Sequence, residues 1–254
     1  MKILVIGESC KDVFTYGDCS RLTPEAPVPV FNPTRTIENG GMAKNVQKNL
    51  LSLGVECNLL TNKNWKNISK TRFIEQRSNH MFLRVDDKDN TYGRVDLEDF
   101  DFKPYDAVVI SDYNKGFLSE DDIASISSLH KNTFLDTKKV LGPWCYGIKY
   151  IKINNFEYEK TKHKLNKKIK KKLIVTLGSE GALHQDVIYP VKKVEIKDVS
   201  GAGDTFIAGL AVKYTKTSNI CESIEYANNC ATMVVQKRGV SVCSEGEKNE
   251  ISLG

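Results

Sequence analysis

An α/β fold, with a doubly wound, mostly parallel sheet flanked by helices and a small β-strand lid, follows from three patterns in the 254-residue chain. Short runs rich in aliphatic and β-branched residues recur, and most are apolar throughout, as strands buried on both faces are. Between them lie segments with the apolar spacing of amphipathic helices, and alternation of the two kinds selects a parallel sheet. Two stretches break the alternation, and these supply the lid.

The first run, 2–7, opens the sheet. Residues 13–35 come next and contain Pro24, Pro27, Pro29 and Pro33. Proline fixes φ and donates no backbone hydrogen bond, which bars a helix or a central strand there. Ala43, Val46, Leu50 and Leu53 mark a helix, and residues 72–86 then alternate like a half-exposed strand pair. Segments 13–35 and 72–86 together suit a flap over the carboxyl edge of the sheet, where open α/β folds bind ligands. Runs 107–111, 133–136, 149–153 and 173–177 extend the sheet, and an extended segment is expected over 191–199. Ile207, Leu210, Ala211 and Tyr214 mark a second helix, and residues 219–237 a third. The length fits one domain, 1–254, carrying the two lid segments.

Composition narrows the function classes. No stretch approaches the roughly 18 apolar residues of a membrane span, and the amino-terminal run is too short for a secretory signal, so the cytoplasm is expected. Seven dispersed cysteines without a CxxC pair read as reduced thiols, and four histidines without a metal-binding spacing suggest no protein-built metal site. Net charge is +5, yet residues 160–172 hold eight lysines and no acid, leaving −3 for the rest. That run has no interleaved aromatic or Arg to stack on bases, so a solvated helix is expected there, with neither nucleic acid nor membrane as partner.

Gly201-Ala202-Gly203 opens a helix, and its free backbone N–H groups can converge on an anion. The Rossmann pattern needs a third small residue where Phe206 stands, and no Gly-Lys-Ser/Thr of a Walker A loop occurs. What remains is Asp204, an acid directly after the glycines. A carboxylate there can simply stabilise the helix dipole, or it can accept a hydroxyl proton during phosphoryl transfer.

The run Asp198-Val199-Ser200-Gly201-Ala202-Gly203-Asp204 resembles the signature of the ribokinase-like carbohydrate kinases, the PfkB family. The resemblance implies that Gly201, Ala202 and Gly203 bind the transferring phosphoryl group and that Asp204 is the base. Gly40-Gly41-Met42-Ala43-Lys44-Asn45 resembles the family's Gly-Gly-x-x-x-Asn element, implying sugar contacts by Gly40, Gly41 and Asn45, with Asp12 matching a sugar-hydroxyl Asp. Without the family, Gly40-Gly41 reads as a turn before a helix. Asn154-Asn155-Phe156-Glu157 resembles an Asn-x-x-Glu element near ATP phosphates and magnesium, which Glu157 would meet through water or phosphate. Its alternative is a helix cap with a first-turn acid. Thr176, Gly178, Gly181 and Asn228 match positions that line the nucleotide. The implied cofactor is Mg²⁺ with ATP, with a monovalent cation as a second candidate.

Within the family, the run 17–30, Lys70-Thr71-Arg72-Phe73, Leu83-Arg84-Val85-Asp86 and Ser111-Asp112-Tyr113-Asn114-Lys115-Gly116 resemble the heptose 7-phosphate kinases. Arg72, Arg84 and Lys115 would then hold a substrate phosphate; taken singly, each reads as an ion-pair partner on the surface. Segments 60–70 and 137–172 look abbreviated, Asp136-Thr137-Lys138 replaces the usual Asp-Pro-Lys, and no nucleotidyltransferase run follows, so the kinase part alone is implied. The acceptor could instead be ribose, a fructose phosphate or a nucleoside, although a nucleoside site would stack aromatics and the flap is mainly Arg, Glu and Pro. A non-catalytic sugar sensor is a further alternative. The partners expected are ATP and a small sugar or sugar phosphate, with a second copy joined through the exposed lid edge.

Overall fold

The structure is a computed structural model and describes residues 1–90 and 92–243. In chain order the elements are β1 (Lys2–Gly7), β2 (Lys11–Asp18), β3 (Asn32–Asn39), α1 (Gly41–Ser52), β4 (Glu56–Leu60), β5 (Ser69–Glu75) and β6 (Met81–Asp87). There follow β7 (Ala107–Asp112), α2 (Glu120–Leu129), β8 (Thr133–Thr137), β9 (Tyr150–Asn154), α3 (Asn155–Thr161), α4 (Lys167–Lys170) and β10 (Leu173–Thr176). The last are β11 (Ala182–His184), β12 (Val187–Tyr189), α5 (Ala202–Thr217) and α6 (Ile220–Val234).

The main sheet runs β12-β11-β10-β9-β8-β7-β1-β4. It is parallel from β4 to β10, and β11 and β12 add antiparallel to one edge. Alternation along β1 places Ile3 and Val5 in a core with residues of α1, α5 and α6, and Leu4 and Ile6 in a second core with Ile123 and Ile126 of α2. Covering both faces is what makes the middles of β1 and β7 apolar, Ile3 to Ile6 and Ala107 to Ile110.

A second sheet, ordered β3-β2-β5-β6, forms the lid. Its central pair β2 and β5 is parallel and carries no proline, whereas Pro33 lies in the edge strand β3. Pro24, Pro27 and Pro29 fall in the connection between β2 and β3, which makes one isolated bridge, Leu22 to Pro29. The prolines therefore shape the loop and the rim of the lid, as an absent N–H requires.

Several elements depart from the expectation. No strand forms over 191–199, which runs as irregular chain before α5. Lys160 to Lys172 is exposed as expected over most of its length but is no single helix: it is the end of α3, a 3₁₀ turn at Lys162–Lys164 and the one-turn α4. Mutual repulsion among eight lysines opposes a longer helix. Strand β4 and helix α2 went unanticipated; α2 carries its signal in a capping box, Ser119 with Asp122, ahead of a short apolar face. Of the expected 1–254 domain, 244–254 lie outside the described residues.

Candidate active site

The carboxyl ends of β1, β7 and β8, the start of α1, the start of α5 and the inner face of the lid enclose a cavity of about 390 Å³. Its walls include Asp12, Gly41, Asn45, Arg72, Arg84, Lys115, Gly201 and Asp204. Parallel strands leave a crevice at this edge because their helices turn back to opposite faces.

Asp204 sits in the first turn of α5 and is 5% exposed. Asn45 Nδ2 donates to its Oδ2 at 2.7 Å, and the Tyr113 hydroxyl donates to Oδ1 at 3.1 Å. Burial pushes its carboxyl up to about 6; the Asn45 bond opposes that rise, Asp136 adds to it, and Lys152 and the Tyr113 bond oppose it further. An acid in that range is ionised at neutral pH yet basic enough to take a proton.

The turn before it is shaped by backbone demands. Gly201 has φ +82°, and a Cβ there would lie 2.7 Å from Asn45 Nδ2, so a side chain would dislodge the residue that orients Asp204. At Gly203 a Cβ would lie 2.8 Å from Lys152 Nζ, which places a buried ammonium directly under the turn. Lys152 pairs with Asp136 at 2.8 Å. Asp198 anchors the run from the other side, accepting from Ser200 N at 2.8 Å and Gly239 N at 3.0 Å. No side chain caps α5; Ala202 N donates to Val199 O at 3.2 Å, and the N–H groups of Gly203 and Asp204 that follow are without a side-chain cap and can meet an anion.

Beyond the turn lies a second cavity of about 550 Å³, and Ala202 and Gly203 form part of its wall. Thr176, Gly178, Gly181 and Asn228 line it, together with Val194, Ile196, Val199, Ala231 and Val235. Four consecutive residues thus divide their attention: Gly201 and Asp204 face the first cavity, Ala202 and Gly203 the second.

Most of the expected site residues come together in these two places, with three exceptions. Gly40 lines neither cavity and instead precedes α1 as its N-cap. Asn154 and Glu157 line neither: they form a complete capping box on α3, Asn154 Oδ1 accepting from Glu157 N at 2.9 Å and Glu157 Oε2 from Asn154 N at 2.7 Å. The helix-cap alternative is therefore present in full. Glu157 Oε1 also pairs with Lys138 at 2.8 Å, and Lys138 reaches into the first cavity.

The basic residues under the lid are each matched. Arg72 pairs with Asp12, Lys115 with Asp89, and Arg84 with Asp86 at 2.7 Å. Lys70, 7% exposed, reaches Asp89 at 2.6 Å. These cations are ion-pair partners that also face the cavity. Asp89 is driven down to about 2; burial works against this, while bonds from Lys115, Lys70 and Tyr92 prevail.

Sequence reasoning passed over Lys70, Asp89, Tyr113 and Lys138. Lys70 and Tyr113 stood inside runs already noted, and Lys138 in the Asp136-Thr137-Lys138 departure. Met42 also lines the first cavity and has φ +51°, a conformation a non-glycine residue holds only where its surroundings impose it.

A magnesium ion can be tested against the donors present. Among the described residues no cluster of three or more His, Cys, Asp or Glu could hold a metal by itself. Both Glu157 oxygens are engaged, so that residue fits a metal only through water or phosphate. Asp136 Oδ1 is a buried oxygen with no hydrogen-bond partner, beside the turn where phosphate oxygens would sit. The donor set fits a hard ion that arrives with its own phosphate ligands.

The fold is that of the ribokinase-like enzymes. A ribokinase of Thermotoga maritima superimposes with a TM-score of 0.75 at 15% identity, covering 99% of each chain. An Arabidopsis thaliana ribokinase, solved with ribose and ATP, gives 0.73 at 13% identity over 99% of this chain and 98% of that one. Residues 152–246 match the family model for pfkB family carbohydrate kinases. The bifunctional protein HldE of Helicobacter acinonychis is 31% identical over 298 aligned positions, covering 96% of this chain and 64% of that protein. HldE of Nitratiruptor sp. is 30% identical over 301 positions, covering 98% and 64%. The chain is thus similar to the pfkB family of carbohydrate kinases over residues 152–246 and spans about 64% of the length of the curated relatives it matches. Alignments of about 300 positions on a 254-residue chain mean that these relatives carry stretches this chain lacks. Among the described residues no helix is long and apolar enough to cross a membrane.

Proposed function

We propose that the chain is an ATP-dependent sugar kinase, with the acceptor under the lid and ATP in the cavity beyond the glycine turn. The observation that carries this is the division of one turn between two cavities, with Asp204 on one side and Gly203 on the other. The acceptor hydroxyl lies against Asp204, which takes its proton as the oxygen bonds to the γ-phosphorus. The bond from that phosphorus to the bridging oxygen breaks, and the electron pair leaves with ADP. Gly201, Ala202 and Gly203 cradle the moving phosphoryl group through backbone N–H, and Lys152 beneath adds positive charge. Magnesium would neutralise phosphate charge near Asp136 and Glu157. Thr176, Gly178, Gly181 and Asn228 flank the nucleotide, whose base suits the walls of Ile196, Val199, Ala231 and Val235.

The acceptor we favour is a phosphorylated sugar, heptose 7-phosphate first. Four cations under the lid, Lys70, Arg72, Arg84 and Lys115, support a phosphate there, each held ready by a carboxylate it can partly exchange. Asp12, Gly41 and Asn45 would meet its hydroxyls. Names of curated relatives point the same way, HldE being the recurring one. Ribose, fructose phosphate or a nucleoside are the competing acceptors. The exposed apolar residues of β6, Leu83 and Val85, suit contact with the lid of a second copy.

An ADP-release assay across sugars and sugar phosphates, heptose 7-phosphate included, tests this. Turnover with a phosphorylated heptose well above that with ribose is expected. No turnover with any sugar would overturn the kinase reading in favour of a sugar sensor.

A further inference from the structure

Asp204 is gripped at both oxygens, and the two grips trace back to one residue that touches neither cavity. Glu8, directly after β1, is 0% exposed. Its Oε2 accepts from the backbone N–H of Tyr113 at 2.9 Å and its Oε1 from that of Lys115 at 2.9 Å. The same residue's carbonyl accepts from Ala43 N at 2.9 Å, in the first turn of α1. Tyr113 then reaches Asp204 Oδ1 through its hydroxyl, and Asn45, two residues beyond Ala43, reaches Oδ2.

A carboxylate buried this deeply is costly unless it is bonded. Both Glu8 oxygens are spent on two N–H groups of one loop, so the loop is held at two points and the Tyr113 ring has little freedom. Its cost shows in the Glu8 carboxyl, which burial and then Asp112 push up while the two N–H bonds oppose. An apolar residue would fill the space without that cost; it could not fix the loop.

We propose that Tyr113 is a positioning residue for Asp204, setting its orientation and proton affinity, and that Glu8 is the anchor that holds Tyr113 in place. This deepens the proposed function, on which its kinetic consequence rests. Other charges face Asp204 as well: Lys152 from β9, Asp136 and Lys138 from the end of β8, and Asp12 from β2 across the cavity. Asp112 faces Glu8 from β7, and Lys138 lies 5.5 Å from the centre of the Tyr113 ring. All of these stay in place when only the Tyr113 hydroxyl is removed.

The sign follows from the direction of the hydrogen bond. A donor to a carboxylate favours the ionised form, so Tyr113→Phe raises the Asp204 midpoint, by roughly half to one pH unit for one such bond. The experiment is ¹³C NMR titration of aspartate-labelled protein, with the Asp204 carboxyl assigned by its loss in Asp204→Asn. Wild type is expected to titrate near 6, Tyr113→Phe higher, and Glu8→Gln higher by a smaller amount. Placing 3-fluorotyrosine at position 113 keeps the shape, strengthens the donor and should shift the midpoint down. Opposite shifts for the phenylalanine and the fluorotyrosine support the proposal. An unmoved midpoint in folded Tyr113→Phe, or in the fluorotyrosine protein should Tyr113→Phe not fold, overturns it. Where turnover is measurable, the acid limb of kcat should move with the midpoint. A wild type inactive on every sugar would remove the kinase reading, and the titration would still decide this one.

Discussion

The cavity beneath the lid is walled by charge, and the cavity beyond the glycine turn is walled largely by backbone and apolar side chains. In the first, Arg72, Arg84, Lys70 and Lys115 stand opposite Asp12, Asp86 and Asp89, and the residues come from strands far apart in the chain. In the second, Gly178, Gly181, Val194, Ile196 and Val199 come from two short stretches and one face of α6 completes the wall. Under the proposed function, recognition beneath the lid is an exchange of ion pairs, sensitive to single charges. Recognition beyond the turn, under the same proposed function, rests mainly on shape and yields to bulk, with Glu180, Lys192 and Lys193 as the charged groups of that wall.

The sharpest test of this contrast is the residue on the boundary. Asp204→Asn should lower kcat by about 10²- to 10⁴-fold while leaving ATP affinity nearly unchanged, read by steady-state kinetics and calorimetry. An equal loss of ATP binding would mean that the two cavities are not separate sites. Arg84→Ala, in the most exposed of the cavity's lysine and arginine pairs named above, should raise KM for a phosphorylated acceptor by about tenfold and leave KM for ATP alone. Ala231→Phe should do the reverse, raising KM for ATP by roughly tenfold through bulk in the wall of the second cavity, with the acceptor unaffected.

The smallest expected effect is on stability. The folded carboxyl of Asp204 sits near 6 against 3.8 for the free residue, so it favours the fold below about pH 4 and that contribution is lost as pH rises through 6. Asp204→Asn removes the burden, and should stabilise the protein at pH 8 by roughly 1–3 kcal/mol and not at pH 4. Thermal melts at the two pH values check it. A variant that loses turnover and gains stability would mark Asp204 as a residue kept at the expense of the fold.

Much of this contrast was legible in the chain. Buried parallel strands announce themselves as short runs rich in aliphatic and β-branched residues, which is why β1, β7, β8, β9 and β10 were readable to within a residue or two, even with Asp136 in β8 and Lys152 in β9. The glycine turn was readable because an acid beside an anion site is unusual. Strand β4 was not, since only Cys57 among its residues is deeply buried and an edge strand leaves little pattern. The charge pairs under the lid were hidden for a different reason. Lys70, Asp86 and Asp89 meet only because β5 and β6 pair in one register, and no local spacing records that. Asn154 and Glu157 fit two accounts from sequence alone, and the capping geometry is common to both.

Among the described residues none lines both cavities, although four consecutive ones divide between them. Under the proposed function neither substrate has to pass through the other's place. Order of arrival is then unconstrained, and product inhibition should follow the pattern of a random sequential mechanism. A single molecule bridging the two sites would have to cross the backbone at Gly201 to Gly203, so an inhibitor joining sugar to nucleotide needs a linker no thicker than the phosphoryl group that makes the crossing in turnover.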